Sequence, residues 1–255
     1  MNKMDIRNRV HIVTGSGTGI GRAIAAALAR EGGLVVCCGR RKKLLDETVL
    51  LCRKNGGNAV SIEADITKPG DVTGIVESAV SSFGRIDLLF NNAGSFRAIG
   101  GIHEVDNNLW WSDVTTNLFG PFLMIKAVLP YMMKQNSGII INMDGGRPPG
   151  GSAYAAGKAG LMELTKILLM ELKLQNTPII VVNAAPGLVR TEMTEAQAAS
   201  EQGRKWIPST RESFDKGNVR LPDEIASATV RFIRNASPLW NGKTFWPDTD
   251  FTNVK

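Results

Sequence analysis

Short apolar runs alternate with longer amphipathic stretches along most of this sequence. The runs are brief and rich in β-branched or aliphatic residues, which is typical of buried strands, whereas the longer stretches have the length and pattern of helices. We predict strands at residues 10–14, 34–39, 59–63, 88–91, 138–143 and 179–183. We predict helices at residues 22–31, 44–55, 71–83, 109–135, 153–174 and 223–234.

This alternation predicts an α/β fold with a parallel sheet covered by helices on both faces, because each strand–helix–strand unit crosses over in the right-handed sense. A length of 255 residues is within the range of one α/β domain, so we predict a single domain over residues 1–255 with a doubly wound sheet. Residues 191–221 are polar and lack a clean period. They form either a surface loop or a lid over a substrate, since long irregular connections are often functional.

The composition narrows the class of protein. With 43% hydrophobic and 21% charged residues the chain resembles a soluble globular protein. The N-terminus lacks an apolar signal core, and no apolar run approaches the roughly 18 residues of a membrane helix, so we expect a cytoplasmic protein without membrane contact.

The net charge of +6 is spread along the chain, which is compatible with an anionic small ligand and does not favour nucleic acid. Cys37, Cys38 and Cys52 lack the spacing of a metal site or disulfide framework, and we expect no metal.

The first predicted strand runs directly into a glycine-rich turn, and a helix pattern begins at once. Glycines allow a tight turn and a close approach of the backbone to a pyrophosphate, while the helix N-terminus supplies free N–H groups and the positive end of its dipole. The spacing differs from G-x-G-x-x-G, because three residues separate Gly15 from Gly19 and one separates Gly19 from Gly21. The turn alone could be structural, but its position in the first strand–helix connection favours a dinucleotide site.

Further motifs follow in the order and approximate spacing of one known family. They are Asp65 in Ala-Asp-Ile-Thr, Asn91-Asn92-Ala93-Gly94, Asn117 in Thr-Asn-Leu-Phe-Gly, Tyr154-x-x-x-Lys158 and Pro186-Gly187-Leu188-Val189-Arg190-Thr191. Together with the T-G-x-x-x-G-x-G turn, they make the chain resemble the short-chain dehydrogenase/reductase family over nearly its whole length. The resemblance implies a Rossmann-like fold, a nicotinamide dinucleotide cofactor, and an oxidoreductase that interconverts a small-molecule carbonyl and an alcohol.

The resemblance also assigns residues to the cofactor. Asp65 is expected at the adenine ring and Asn91 in the turn that lines the adenosine, although from the residues alone Asp65 could cap a helix and Asn91 could end a strand. Thr191 is the expected donor to the nicotinamide carboxamide. The set implied by resemblance is Gly15, Ser16, Gly17, Thr18, Gly19, Ile20, Gly21, Asp65, Ile66, Asn91, Ala93, Gly94, Tyr154, Lys158, Pro186, Gly187, Val189 and Thr191.

The second predicted strand ends without an acidic residue. NAD-selective chains usually place a carboxylate there, where it binds the adenosine ribose and repels a 2′-phosphate. Here Gly39 leaves space and is followed by four basic residues, 40–43, with no carboxylate before Asp46. Arg40 can pair bidentately with a phosphate, and Arg41 and its neighbours add positive potential. A solvated basic helix start is the alternative, but such residues oppose the helix dipole, so we predict NADP(H) rather than NAD(H).

Tyr154 is the expected general acid and base. Carbonyl reduction needs a proton for the developing alkoxide, and a nearby ammonium group lowers the pKa of a phenol from its usual value of about 10. Lys158 lies four residues further on, hence on the same helix face, and can also reach the nicotinamide ribose. By resemblance, Asn117 holds a water that relays protons to Lys158.

The chain departs from the family where a serine pair normally ends a strand, because Asp144 and Gly145 stand at those positions. An ionised Asp144 only accepts hydrogen bonds and would repel an alkoxide, and Ser152 is expected to cap a helix rather than to supply the missing hydroxyl. We therefore expect normal NADP(H) binding but slow reduction of simple carbonyls, unless another donor takes the place of the serine. The alternative is a dinucleotide-binding sensor or binding partner with weak or no catalysis.

The helices predicted at 109–135 and 153–174 are unusually apolar. One face of each must cover the sheet, and enough apolar surface is left to bury a second face. Members of the family commonly pack these two helices against those of another subunit, so we predict a homodimer or a homotetramer. The residues that would select the substrate fall within 191–221 and after Met143, and their types do not identify it.

Overall fold

The architecture is that of a parallel sheet, in a computed structural model that describes residues 5–252. The strands are β1 (Val10–Thr14), β2 (Leu34–Gly39), β3 (Asn58–Glu63), β4 (Leu88–Asn91), β5 (Ile139–Met143), β6 (Ile180–Ala184) and β7 (Thr244–Phe245). They form a 7-stranded sheet in the order β3-β2-β1-β4-β5-β6-β7, and every neighbouring pair is parallel. The predicted single-domain, doubly wound α/β fold is confirmed, and the first six strands lie within a residue of their predicted bounds.

Helices cover both faces of the sheet. They are α1 (Gly19–Arg30), α2 (Lys42–Lys54), α3 (Pro69–Phe83), α4 (Asn107–Val114), α5 (Gly120–Gln135), α6 (Ser152–Leu174), α7 (Glu192–Ala199), α8 (Glu201–Trp206), α9 (Pro208–Asp215) and α10 (Pro222–Arg234). Successive strand residues enter opposite cores, as their alternation requires. Val13 packs in the core that contains Ile24 of α1, whereas Ile12 packs in the core that contains Ile75 of α3.

The strand order reverses at β1, which pairs with β2 on one side and with β4 on the other. Thr14, the last residue of β1, is in register with Cys38 near the end of β2. In open α/β sheets, ligands bind outside the carboxyl ends of the strands at such a reversal. The glycine turn follows β1 directly and therefore lies at this position.

The helix predicted at 109–135 is present as one helical stretch over residues 107–135, but it is not a regular α-helix throughout. It consists of α4 and α5, joined by a π-helical turn at Thr115–Phe119. The side-chain amide of Asn117 donates to the carbonyl oxygen of Asp113 at 2.8 Å and so occupies an acceptor that a backbone N–H takes in a regular helix. Apolar periodicity does not report side-chain hydrogen bonds of this kind.

The stretch at 191–221, expected to be irregular, contains the short helices α7, α8 and α9, so that expectation is wrong. Thr191 and Thr194 form a capping box at the start of α7, and Ser200 accepts from the N–H of Gly203 at the start of α8. Pro208 is the first residue of α9. These helices have only 6 to 8 residues each, too few to show a period in the sequence. The lid role of the segment stays a prediction.

Within residues 5–252, no helix combines the length and hydropathy needed to cross a bilayer. In that same part of the chain, no group of three or more His, Cys, Asp and Glu side chains is placed to hold a metal ion. Cys37, Cys38 and Cys52 are free thiols buried in the two cores. They contribute to packing.

An acid-sensitive contribution to stability is expected from His11 in β1. Burial lowers the pKa of this imidazole from 6.5 to about 4. A group whose pKa is lower in the folded than in the unfolded chain stabilises the fold above the unfolded value, and that contribution is lost as the pH falls towards the folded value. The free energy of unfolding should therefore fall between pH 7.5 and pH 4.5 by about 2 kcal/mol less in His11→Gln than in the unmodified protein. Urea titrations of both proteins at the two pH values measure this, and equal losses would contradict it.

Candidate active site

A cleft of about 1900 Å³ opens along the carboxyl edge of the sheet. It extends from the basic residues after β2 to α6 and the segment after β6. Most residues expected at the cofactor line it: Gly15, Gly17, Thr18, Gly19, Ile20, Arg40, Arg41, Asp65, Ile66, Ala93, Gly94, Tyr154, Lys158, Pro186, Gly187, Val189 and Thr191. Ser16, Gly21, Asn91 and Asn117 are buried and lie behind the cleft wall instead.

The glycine turn leaves backbone donors available for an anion. Gly15 has a φ of +65°, and a Cβ there would lie 2.8 Å from the Cα of Ala93, so the turn requires glycine at this position. Helix α1 begins at Gly19, and the side chain of its N-cap residue, Thr18, makes no capping hydrogen bond. The first N–H groups of α1 therefore lack a side-chain cap at the positive end of the helix dipole. This arrangement fits the pyrophosphate of a dinucleotide.

The two arginines after β2 line the end of the cleft beyond the glycine turn. Arg41 donates to Thr18 Oγ1 at 3.1 Å and pairs with Glu192 Oε2 at 2.9 Å. Glu192 is absent from the residues expected at the site, because 151 positions separate it from Arg41 and no local spacing signals such a contact. The basic end of the cleft is thus connected to the first residue of α7.

Asp65 lines the cleft and also stabilises its own turn. Its Oδ1 accepts from the N–H of Thr67 at 3.0 Å and from the Thr67 hydroxyl at 2.8 Å. Burial raises the pKa of this carboxyl group, but the hydrogen bonds from Thr67 and the positive charge of Arg40 outweigh it and hold the pKa below its usual value. The helix-cap alternative for Asp65 is wrong, because the N-cap of α3 is Lys68.

Two buried asparagines support the cleft from behind. Asn91 is the last residue of β4, which agrees with the alternative that it ends a strand. Its Nδ2 donates to Asn142 Oδ1 of β5 at 2.9 Å. Asn117 Nδ2 donates to the carbonyl oxygen of Ser95 at 2.6 Å, and its Oδ1 accepts from the Ser95 N–H at 3.2 Å. Asn91 thus joins β4 to β5, and Asn117 holds the chain after β4. The water relay expected at Asn117 stays a prediction.

Tyr154 and Lys158 lie side by side in the first turns of α6. Lys158 Nζ is 5.6 Å from the centre of the Tyr154 ring and donates to the carbonyl oxygen of Met143 at 2.6 Å. The Tyr154 ring stacks on Phe96 with a centroid distance of 4.5 Å. Burial raises the pKa of Tyr154, to which the Asp144 carboxylate adds, and burial lowers the pKa of Lys158 to about 8. The expected lowering of the Tyr154 pKa by the Lys158 ammonium group is therefore wrong, because burial and the Asp144 charge set the direction of the shift. The phenol is held protonated, as a proton donor to an alkoxide must be.

The positions of the family's serine pair lie against Tyr154. A Cβ at Gly145 would lie 2.1 Å from the Tyr154 hydroxyl oxygen, so the phenol occupies the space of a side chain at that position. Asp144 lines the same cleft, and its Oδ1 accepts from Arg147 Nη2 at 3.0 Å. The segment therefore offers an ion pair where the family has hydroxyl groups.

Ser152 does not cap α6, so that expectation is wrong. The N-cap is Gly151, and Ser152 is the first residue of the helix. The Ser152 hydroxyl oxygen accepts from the indole N–H of Trp110 at 3.0 Å. Ser152 also lies outside the cleft lining, so its hydroxyl does not replace the missing serine in this structure.

Comparisons with known proteins identify the family of this chain. A family model described as short chain dehydrogenase matches residues 9–202. A 3-oxoacyl-[acyl-carrier-protein] reductase of Synechocystis sp. is 35% identical over 245 residues, which cover 93% of this chain and 94% of that protein.

Solved structures show the same fold. Levodione reductase is similar with a TM-score of 0.84 and 26% identity, over 94% of this chain and 96% of that chain. NAD+-bound xylitol dehydrogenase is similar with a TM-score of 0.82 and 27% identity, over 94% of this chain and 98% of that chain. Because the family model spans most of the residues that form the cleft and the relatives match nearly the full length, this protein belongs to the short-chain dehydrogenase/reductase family of oxidoreductases.

Proposed function

We propose that this protein is an NADP(H)-dependent oxidoreductase that interconverts a small-molecule carbonyl and an alcohol, with Tyr154 as general acid and base. The observation that carries the proposal is the position of Tyr154 beside Lys158, in the same cleft as the glycine turn. A bound nicotinamide supplies or accepts the hydride. Tyr154 gives its proton to the alkoxide during reduction and takes a proton from the alcohol during oxidation.

Lys158 supports both directions of this proton transfer. Its ammonium group stabilises the phenolate that Tyr154 becomes after it has given up its proton. The bond to the carbonyl oxygen of Met143 fixes Nζ on the floor of the cleft. With a pKa lowered to about 8, Lys158 can itself exchange protons near neutral pH, with Asn117 and a water as the proposed relay.

The lining of the cleft supports the remaining proposed cofactor contacts. The glycine turn and the N-terminus of α1 hold the pyrophosphate, and Asp65 lies towards the adenine. Thr191, whose hydroxyl also caps α7, is the proposed donor to the nicotinamide carboxamide. The helices α7 to α9 follow Thr191 directly, which supports a lid role for residues 191–221.

The missing serine predicts slow turnover of simple carbonyls unless another donor serves. Loss of one such donor typically lowers the rate by about a hundredfold or more. The same observation favours the second candidate function, a dinucleotide-binding sensor with weak or no catalysis. The two functions differ in whether any carbonyl receives hydride, and a screen of aldehydes, ketones and quinones with NADPH, and of alcohols with NADP+, separates them.

Selectivity for NADP(H) is supported by the end of β2. The family leaves the choice open, since the xylitol dehydrogenase of similar fold is NAD+-bound. Here Arg40 and Arg41 line the cleft, and no carboxylate stands at residues 39–43. A 2′-phosphate would find the guanidinium group of Arg40 at this end of the strand, and that of Arg41, which Glu192 already pairs with at 2.9 Å.

Arg40→Ala should weaken NADPH binding about tenfold or more and leave NADH binding nearly unchanged, because only NADPH carries the phosphate that Arg40 is proposed to bind. Fluorescence titration of both cofactors measures the two dissociation constants. Lys54→Ala, at the far end of the following helix, is the control and should change neither. An unchanged ratio of the two constants in Arg40→Ala would refute NADP(H) selectivity by this residue.

A homodimer or homotetramer is supported by apolar side chains exposed on the helices expected at the interface. Trp111 on α4 is 64% exposed and Met170 on α6 is 63% exposed. Phe119, the last residue of the π-helical turn, and Phe122, in the first turn of α5, are also exposed. Exposed aromatic and apolar side chains in such number favour burial against a second copy.

Light scattering at micromolar concentration should therefore give a mass of at least twice the 27.5 kDa of one chain. Phe122→Asp should lower that mass towards the monomer, because a carboxylate is costly to bury in an apolar interface. A mass of one chain for the unmodified protein would contradict the prediction. The cytoplasmic location expected from the sequence stays a prediction.

A further inference from the structure

We propose that the guanidinium group of Arg147 supplies the hydrogen bond to the substrate oxygen that a serine hydroxyl gives elsewhere in the family. This rests on the proposed function, because it names a further catalytic residue of the same reaction. The starting point is Gly145, where a Cβ would lie 2.1 Å from the Tyr154 hydroxyl oxygen. A side chain there would displace the phenol, so the donor must reach the substrate from another position.

Arg147 lies two residues after Gly145 and lines the same cleft as Tyr154. Its Nη1 donates to the carbonyl oxygen of Gly145 at 3.3 Å, and its Nη2 donates to Asp144 Oδ1 at 3.0 Å. Both acceptors belong to the positions of the serine pair, so the side chain folds back over the segment that lacks the hydroxyl. A guanidinium has five N–H donors, and these two bonds leave others for a substrate.

The charge of Arg147 suits an oxygen that becomes negative. A cationic donor forms a stronger hydrogen bond to an alkoxide than a neutral hydroxyl does. Burial raises the pKa of Tyr154, and the positive charge of Arg147 acts in the opposite direction, so its field reaches the phenol. The Arg147 side chain is 44% exposed, which lets it adjust to a substrate without disturbing the core.

Asp144 has a positioning role in this arrangement. Its side chain is only 15% exposed and accepts a hydrogen bond from the guanidinium, which keeps that group on the cleft side of the segment. The pairing with Arg147 explains why an acidic residue is tolerated beside a developing alkoxide. An unpaired carboxylate would be unfavourable there. The ion pair brings a positive group to the site and balances its charge.

Three other candidate donors are placed less favourably than Arg147. The Ser95 hydroxyl donates to Asp113 in a buried contact. Lys158 Nζ is buried and donates to a backbone carbonyl. Ser152 lies outside the cleft lining. Arg147 is the side chain that both lines the cleft and is bonded to the backbone of Gly145.

The test compares Arg147→Ala with Arg211→Ala, whose arginine forms a similar ion pair with Asp215 on α9 but lies outside the cleft lining. The substrate is 2,3-butanedione, a small diketone with no hydrogen-bond donor of its own, with NADPH as reductant. We expect Arg147→Ala to lower kcat about a hundredfold and to leave the NADPH dissociation constant within twofold. Arg211→Ala should match the unmodified protein in both.

Chemical rescue and conservative variants separate a catalytic role from a structural one. Guanidinium chloride at millimolar concentration should restore part of the turnover of Arg147→Ala and should not raise that of Tyr154→Phe. Asp144→Asn should keep most of the turnover, because its amide oxygen still accepts from Arg147, whereas Asp144→Ala should lose about tenfold.

Turnover of Arg147→Ala within about threefold of the unmodified protein overturns the inference. The inference also fails if the lost turnover is not restored by guanidinium and NADPH binding is weakened as well. It fails, too, if the unmodified protein does not reduce the diketone. If Tyr154→Phe is inactive while Arg147→Ala is fully active, only this inference fails. If Tyr154→Phe is as active as the unmodified protein, the proposed function fails.

Discussion

Tyr154→Phe should lower kcat for carbonyl reduction by at least a hundredfold while NADPH binding changes little. The substitution removes the hydroxyl that gives its proton to the alkoxide, and a positioned general acid typically contributes a factor of about a hundred to ten thousand. The ring stacked on Phe96 is retained, so the wall of the cleft keeps its shape. NADPH oxidation with a reactive diketone measures kcat, and fluorescence titration measures binding.

Tyr131→Phe is the matched control, because Tyr131 on α5 is the other of the 2 tyrosines and lies outside the cleft lining. It should retain full activity. A Tyr154→Phe protein that keeps more than a tenth of the turnover would show that the proton comes from another group, and Lys158 would then be the next candidate.

Gly21→Ala should disrupt the cofactor turn and destabilise the protein by about 3 kcal/mol. A Cβ at this position would lie 2.4 Å from the carbonyl oxygen of Gly15 and 2.5 Å from Asn92 Nδ2. Asn92 Nδ2 donates to the carbonyl oxygen of Thr14 at 2.9 Å, so the collision involves backbone and a side chain already bonded to it. Because α1 must move away from the turn, NADPH affinity should fall by more than tenfold.

Gly74→Ala provides the control for a glycine-to-alanine change in a helix. Gly74 lies within α3, and a Cβ there would meet nothing within 4 Å. Alanine should stabilise this helix by roughly 0.5–1 kcal/mol, because glycine loses more backbone entropy on folding. Urea unfolding of both variants, with NADPH titration, measures the contrast. A Gly21→Ala protein as stable as Gly74→Ala, with unchanged NADPH affinity, would show that the turn adapts more easily than its packing indicates.

The parallel sheet could be predicted because its strands are buried on both faces and therefore appear as short continuous apolar runs. The parallel orientation of neighbouring strands then follows from the crossover helices. Strand β7 was not predicted, because Thr244–Phe245 is only 2 residues long and is a strand only through its pairing with β6. The π-helical turn at Thr115–Phe119 escaped because it depends on hydrogen bonds of Asn117 to a distant loop.

The site could be predicted wherever its residues belong to contiguous motifs, as in the glycine turn and the Tyr154–Lys158 pair. Glu192 and Phe96 became visible only in the fold, because each reaches its partner from a remote part of the chain. The environment of Tyr154 was equally hidden. The Tyr154 hydroxyl fills the place of a side chain at Gly145, and Arg147 is bonded beside it. Both facts depend on distances that residue types do not encode.

The most direct test of the proposed function is transfer of a labelled hydride. NADPH carrying deuterium at both positions of C4 of the nicotinamide is incubated with the protein and a panel of aldehydes and ketones, and the alcohol products are analysed by mass spectrometry. We predict deuterium on the carbinol carbon of at least one product with the unmodified protein, and none above background with Tyr154→Phe. Tight NADPH binding without deuterium transfer to any carbonyl would contradict the account and favour a dinucleotide-binding sensor.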